Sequence, residues 1–68
     1  MTIHYDSKTD LLYIRIAPDQ QDVTNKRVTE DIVLDLGADN KIIGIEIMDA
    51  SQHVNLEKLM PIEYVKAL

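Results

Sequence analysis

Apolar and polar residues alternate through most of the chain. In TIHYD, Ile3 and Tyr5 share one parity, and in LLYIRIA so do Leu12, Ile14 and Ile16. A period of two is the mark of a strand buried on one side. The polar DSKTD between them predicts a tight turn. RVTEDIVLDL continues the alternation through Val28, Ile32, Leu34 and Leu36, interrupted at Glu30, where a bulge would swing the carboxylate outward. GADNK brings together Gly, Asp and Asn, the residues that tolerate positive φ, and predicts the clearest turn in the chain. IIGIEIM then reads as a fourth strand.

Short connections between consecutive strands favour an antiparallel meander, with PDQQDVTNK as the longer link between the second and third strands. The pattern changes after Met48. Asp49, with Gln52 three residues on, has the spacing of a capping box, and Val54, Leu56, Leu59 and Met60 offer an apolar side for a helix. Pro61 stops or kinks that helix. The expectation is an α+β fold of one domain over residues 1–68: a four-stranded antiparallel meander sheet (1–48), a C-terminal helix packed on one face (49–60) and a tail (61–68). Ile14, Ile16, Leu34, Ile45 and Ile47 are the expected core, with Ile43 on the same side.

The opposite parity should be solvated, yet it holds Leu11, Tyr13, Val33, Ile42 and Met48 beside Arg15, Asp35 and Glu46. Gly44 lies among them in mid-strand, where glycine packs nothing; either the strand bends there or another group approaches closely. The chain has no second layer to spare for this face, so a second copy is the economical cover and a homodimer is expected. Tyr13, Arg15, Val33, Asp35, Gly44, Glu46 and Met48 are the expected interaction residues, with the tail after Pro61 as the other candidate interface.

Length sharpens that expectation. A chain of 68 residues buries only about 60% of the surface its unfolded form exposes and gains from a disulfide, a metal or a partner. Cysteine is absent, so disulfides, thiolate metal sites and a cysteine nucleophile are excluded. Seven Lys and Arg against twelve Asp and Glu give a net charge of −5. The basic residues are scattered singly, apart from Lys26 and Arg27, which argues against nucleic acid, since phosphate binding needs clustered cations. A basic protein partner fits better. No apolar run approaches the roughly 20 residues of a membrane span and no charged-then-apolar leader opens the chain, so a cytoplasmic protein without membrane contact is expected.

Chemistry is sparse. Asp31, Asp35 and Glu46 share a parity on neighbouring strands and would offer oxygens to a divalent cation, but no ligand spacing supports a metal site, and a solvated acidic face is the simpler reading. A hairpin around SKTD sets His4 opposite Tyr13 and diagonal to Arg15. His53 stands without a nucleophile to serve and reads as a surface histidine. No catalytic residues, metal or cofactor are assigned, and an enzyme is the less favoured class. A small-ligand or divalent-metal binder with its acidic site at a dimer interface is the alternative to an interaction module.

TDLLYIRI (Thr9–Ile16), DIVLDL and GIEIMDAS, in that order, resemble the signature blocks of a small bacterial family, the domain of unknown function numbered 2283. Tyr5, Asp6, Asp10, Leu12, Tyr13 and Ile14 fall on that pattern, followed by Asp35, Gly44, Ile45, Glu46, Ile47 and Ala50. The resemblance runs from residue 1 to about 52. It implies a small antiparallel sheet with a C-terminal helix, and an antitoxin-like binding role through similarity to the small partner proteins encoded beside toxin-like ones.

Overall fold

A computed structural model of the chain describes residues 1–18 and 22–59. Five strands form one antiparallel sheet: β1 (Thr2–Asp6), β2 (Leu11–Arg15), β3 (Thr24–Arg27), β4 (Ile32–Leu36) and β5 (Ile42–Ile47), in the spatial order β1-β2-β5-β4-β3. Two expectations change here. Among the described residues there are five strands, not four, and the sheet is not a meander, because β5 lies between β2 and β4.

The extra strand comes from a turn inside RVTEDIVLDL. The Val28 amide donates to the Ile32 carbonyl at 2.8 Å, and the Thr29 hydroxyl oxygen accepts from the amides of Asp31 and Ile32, each at 3.2 Å. A threonine side chain thus replaces the glycine or proline that usually marks such a turn. The chain reverses at Glu30 instead of bulging there, and Val28, expected inside, is 54% exposed. The register slips elsewhere, between Asp35 and Leu36: Asp35 faces Gly44 but Leu36 faces Ile42, so Ile43 is the additional residue on β5. GADNK turns as expected, with Asp39 and Asn40 both at φ 58°.

As the central strand, β5 is paired on both sides. Ile45 faces Ile14 and Leu34, and Ile47 faces Leu12 and Ile32. Beta-branched side chains suit a strand so enclosed. Leu12 and Ala50 are fully buried and Ile47 is 8% exposed; Ile3, Ile14, Ile45, Val54, Leu56 and Leu59 pack around them. Burying a leucine is worth about 1.5–3 kcal/mol. Ile16, expected in the core, is 46% exposed at the end of β2.

The C-terminal cover is present but is not the expected helix over 49–60. One helical turn, α1 (Ala50–His53), ends at Val54 in extended backbone, and a 3-10 turn follows at Leu56–Lys58. Ser, His, Val and Asn are weak helix formers, and Asn55 uses its side chain to accept from the Glu57 amide at 3.1 Å, starting a new turn instead of extending the old one. Met60 and residues 61–68, including the predicted stop at Pro61 and the tail, lie outside the described residues.

Asp49 does not cap α1. It adopts φ 50°, ψ 47° with no side-chain bond to the helix. Asp10, itself at φ 54°, takes that place from the β1–β2 turn. Its carbonyl accepts from the Ala50 amide at 2.9 Å, and its carboxylate accepts from the Ser51 amide at 3.1 Å, the Ser51 hydroxyl at 2.6 Å and the Tyr5 hydroxyl at 2.7 Å. These donors, the Ser51 hydroxyl first and then Tyr5, hold the Asp10 carboxyl below the ordinary aspartate range.

Candidate functional site

The sheet face away from α1 carries the expected interaction residues in two rows set by the register. His4, Tyr13, Glu46, Val33 and Arg27 form one row across β1, β2, β5, β4 and β3; Thr2, Arg15, Gly44, Asp35 and Asn25 form the next. Met48 follows Glu46 with the same parity. The structure therefore brings Tyr13, Arg15, Val33, Asp35, Gly44, Glu46 and Met48 onto one surface. Arg27 and Asn25 join them unforeseen, because β3 was not recognisable as a separate strand.

Gly44 allows a close approach. A Cβ there would lie 2.3 Å from the Tyr13 hydroxyl oxygen and 2.6 Å from Cζ, so no other residue fits beneath the ring. Passing over Gly44, the Tyr13 hydroxyl donates to Asp35 Oδ2 at 3.0 Å. The Arg15 guanidinium carbon is 5.7 Å from the centre of the Tyr13 ring, within cation–π range. Of the two possibilities for a mid-strand glycine, a close side chain is the one realised.

Asp35 and Glu46 lie side by side on the diagonal between β4 and β5. Burial, then the negative charge of Asp35 beside it, raise the Glu46 carboxyl above the ordinary glutamate range, against the opposing pull of Arg27. Burial and the bond to Asp35 likewise raise the Tyr13 hydroxyl, which stays protonated. Asp35 Oδ1 is buried and accepts no hydrogen bond from the described residues. Beside the pair, Asn25, Arg27, Val33, Glu46 and Met48 line a shallow cavity of about 290 Å³. Val33 is only 7% exposed beneath these longer side chains.

The acidic trio does not assemble. Asp31 turns away to His53, whose Nε2 lies 3.0 Å from Asp31 Oδ2, so His53 tethers α1 to the β3–β4 turn. Among the described residues no group of three or more His, Cys, Asp and Glu could hold a metal ion. His4 does face Tyr13. The Asp10–Ser51 lock was not legible in sequence, since its partners are 41 positions apart and no local pattern links them.

Both the outward cluster and the lock fall within the one stretch that matches a known family, described as Protein of unknown function (DUF2283), over residues 2–51. The chain belongs to the DUF2283 family. No curated protein and no solved structure matches it. The DUF2283 match contains all five strands and ends at Ser51, the residue whose hydroxyl closes the lock on Asp10. Among the described residues no helix is long and apolar enough to cross a membrane.

Proposed function

We propose that this DUF2283 domain is a self-associating protein-interaction module that works through its outward face, with a second copy of the chain as the partner. The observation that carries the reading is the Tyr13–Gly44–Asp35–Glu46 arrangement. A half-buried carboxyl pair and a mid-strand glycine both cost stability in a small sheet, and neither supports the core on the opposite face. The face also suits a twofold partner. It combines acidic groups (Asp35, Glu46) and basic ones (Arg15, Arg27) beside apolar Met48, so two copies can meet with opposite charges apposed.

Light scattering of the full chain across micromolar concentrations tests this. A dimer is expected, and Met48→Lys, which alters the outward face alone, should give a folded monomer. A wild-type monomer at high micromolar concentration, or an unchanged dimer in the variant, counts against the face.

The net charge of −5 favours a second reading, in which the module caps a basic protein in the bacterial cytoplasm in an antitoxin-like role. Association with such a partner would be steered by opposite charge, and its rate should fall steeply as salt shortens the screening length to about 10 Å at 0.1 M. A rate independent of salt removes this reading and leaves self-association standing.

A further inference from the structure

We propose that the Asp35 and Glu46 carboxyls form a one-proton site at the centre of the outward face, and that a cationic side chain of the second copy docks there only as this proton leaves. The docking half rests on the self-association reading; the proton site does not.

Geometry supplies the argument. The Tyr13 hydroxyl occupies Asp35 Oδ2 at 3.0 Å, while Asp35 Oδ1 is buried with no donor among the described residues. A buried oxygen left so is costly. Glu46, diagonal to Asp35 across the β4–β5 pairing, is the acid beside it. Two ionised carboxylates have no proton to share and repel each other; a single proton on Glu46 turns the repulsion into a donor–acceptor pair and leaves one negative charge.

The surrounding groups do not remove the need for that proton. His4 faces Tyr13 from β1, with Tyr13 and Arg15 on β2 and Arg27 on β3. Tyr13 is spent on Oδ2, Arg15 lies by the Tyr13 ring, and Arg27 donates to the Glu30 carbonyl while drawing Glu46 only partly toward ionisation. When an ammonium or guanidinium from the second copy enters, the Glu46 O–H bond breaks, the proton passes to solvent, and the two carboxylates share the incoming cation. Net charge on the site changes from −1 before docking to −2, compensated by that cation.

The test follows Glu46 Cδ by carbon NMR of the full chain across pH, with sedimentation on the same samples. Glu46 is expected to titrate above the ordinary glutamate range and to return toward it in Asp35→Asn; Glu46 titrating at or below that range overturns the proton site. If Asp35→Asn does not fold, Asp35→Ser serves in its place, and Glu46 should again return toward the ordinary range. A Glu46 midpoint unmoved by the substitution at Asp35 overturns the site.

Self-association should weaken by about tenfold per docked site for each pH unit below the Glu46 midpoint, because one proton is released. Glu46→Gln should remove that dependence. Association independent of pH overturns the docking step. Absence of association at every pH overturns the self-association reading, while the NMR titration still decides the proton site.

Discussion

A methyl group on Gly44 would lie 2.3 Å from the Tyr13 hydroxyl oxygen. The strand therefore gives up a side chain so that a ring from its neighbour can cross it to Asp35. In most strand interiors replacing glycine by alanine gains about 0.5–1 kcal/mol. Here Gly44→Ala should instead cost about 1–3 kcal/mol, as overpacking does, by driving Tyr13 off Asp35. In a Tyr13→Ala background the same change should be neutral or stabilising. Urea unfolding of the four proteins completes the cycle. An equal penalty in both backgrounds would mean that the backbone, not the ring, excludes the methyl group.

How much of this was legible depends on the range of each interaction. The β1–β2 hairpin, the GADNK turn and the Ile45/Ile47 parity are written in adjacent residues, and the local pattern predicts them. The Thr29 turn escaped because it uses a hydroxyl, not Gly or Pro, and with it went β3, Arg27 and the true strand order. Parity placed Val33 on the outward face correctly, but only the register shows that Arg27 and Glu46 flank and cover it. Ile16 has core parity yet lies beyond the last strand pair, where nothing covers it. For α1, the apolar spacing suggested a longer helix than Ser51, His53, Val54 and Asn55 will sustain. The seven outward residues could be predicted as a set, whereas the Tyr13–Gly44–Asp35 crossing needed coordinates.

The core predicts a graded series. Leu12→Ala removes a fully buried side chain and should cost about 2–5 kcal/mol, enough to unfold much of a domain this small. Ile45→Ala, at a partly buried position, should cost less. Ile16→Ala should change stability by less than about 0.5 kcal/mol. Urea midpoints rank the three, and a large loss at Ile16 would show that its exposed side chain is covered by a partner.

Asp10, not Asp49, should be the aspartate that secures α1. Asp10→Ala strips the carboxylate that accepts from the Ser51 amide, the Ser51 hydroxyl and the Tyr5 hydroxyl, leaving only the backbone bond to Ala50, and should destabilise the domain, while Asp49→Gly relieves a positive φ and should be neutral or stabilising. Because folding depresses the Asp10 pKa, its contribution is present above the ordinary aspartate value and is lost as pH falls through the lowered one. Asp10→Asn should flatten the acid limb of a plot of unfolding midpoint against pH. An acid limb unchanged by this variant would assign the loss to other carboxylates.

Glu46 should act in the opposite direction and in a higher window. Its carboxyl is raised by burial and by Asp35, so the folded state holds the proton more tightly than the unfolded chain. The resulting stabilisation is complete below the ordinary glutamate value and is lost as pH rises through the raised one. Glu46→Gln keeps the shape of the side chain and a donor for Asp35 but cannot ionise. Relative to wild type it should therefore gain stability as pH rises across that interval and then level off. Since association also stabilises the folded state by mass action, the comparison belongs in the Met48→Lys background, where the protein is expected to be monomeric. A wild-type to Glu46→Gln difference that does not change with pH would mean that the Glu46 carboxyl titrates alike in the folded and unfolded chain and that the pair holds no additional proton.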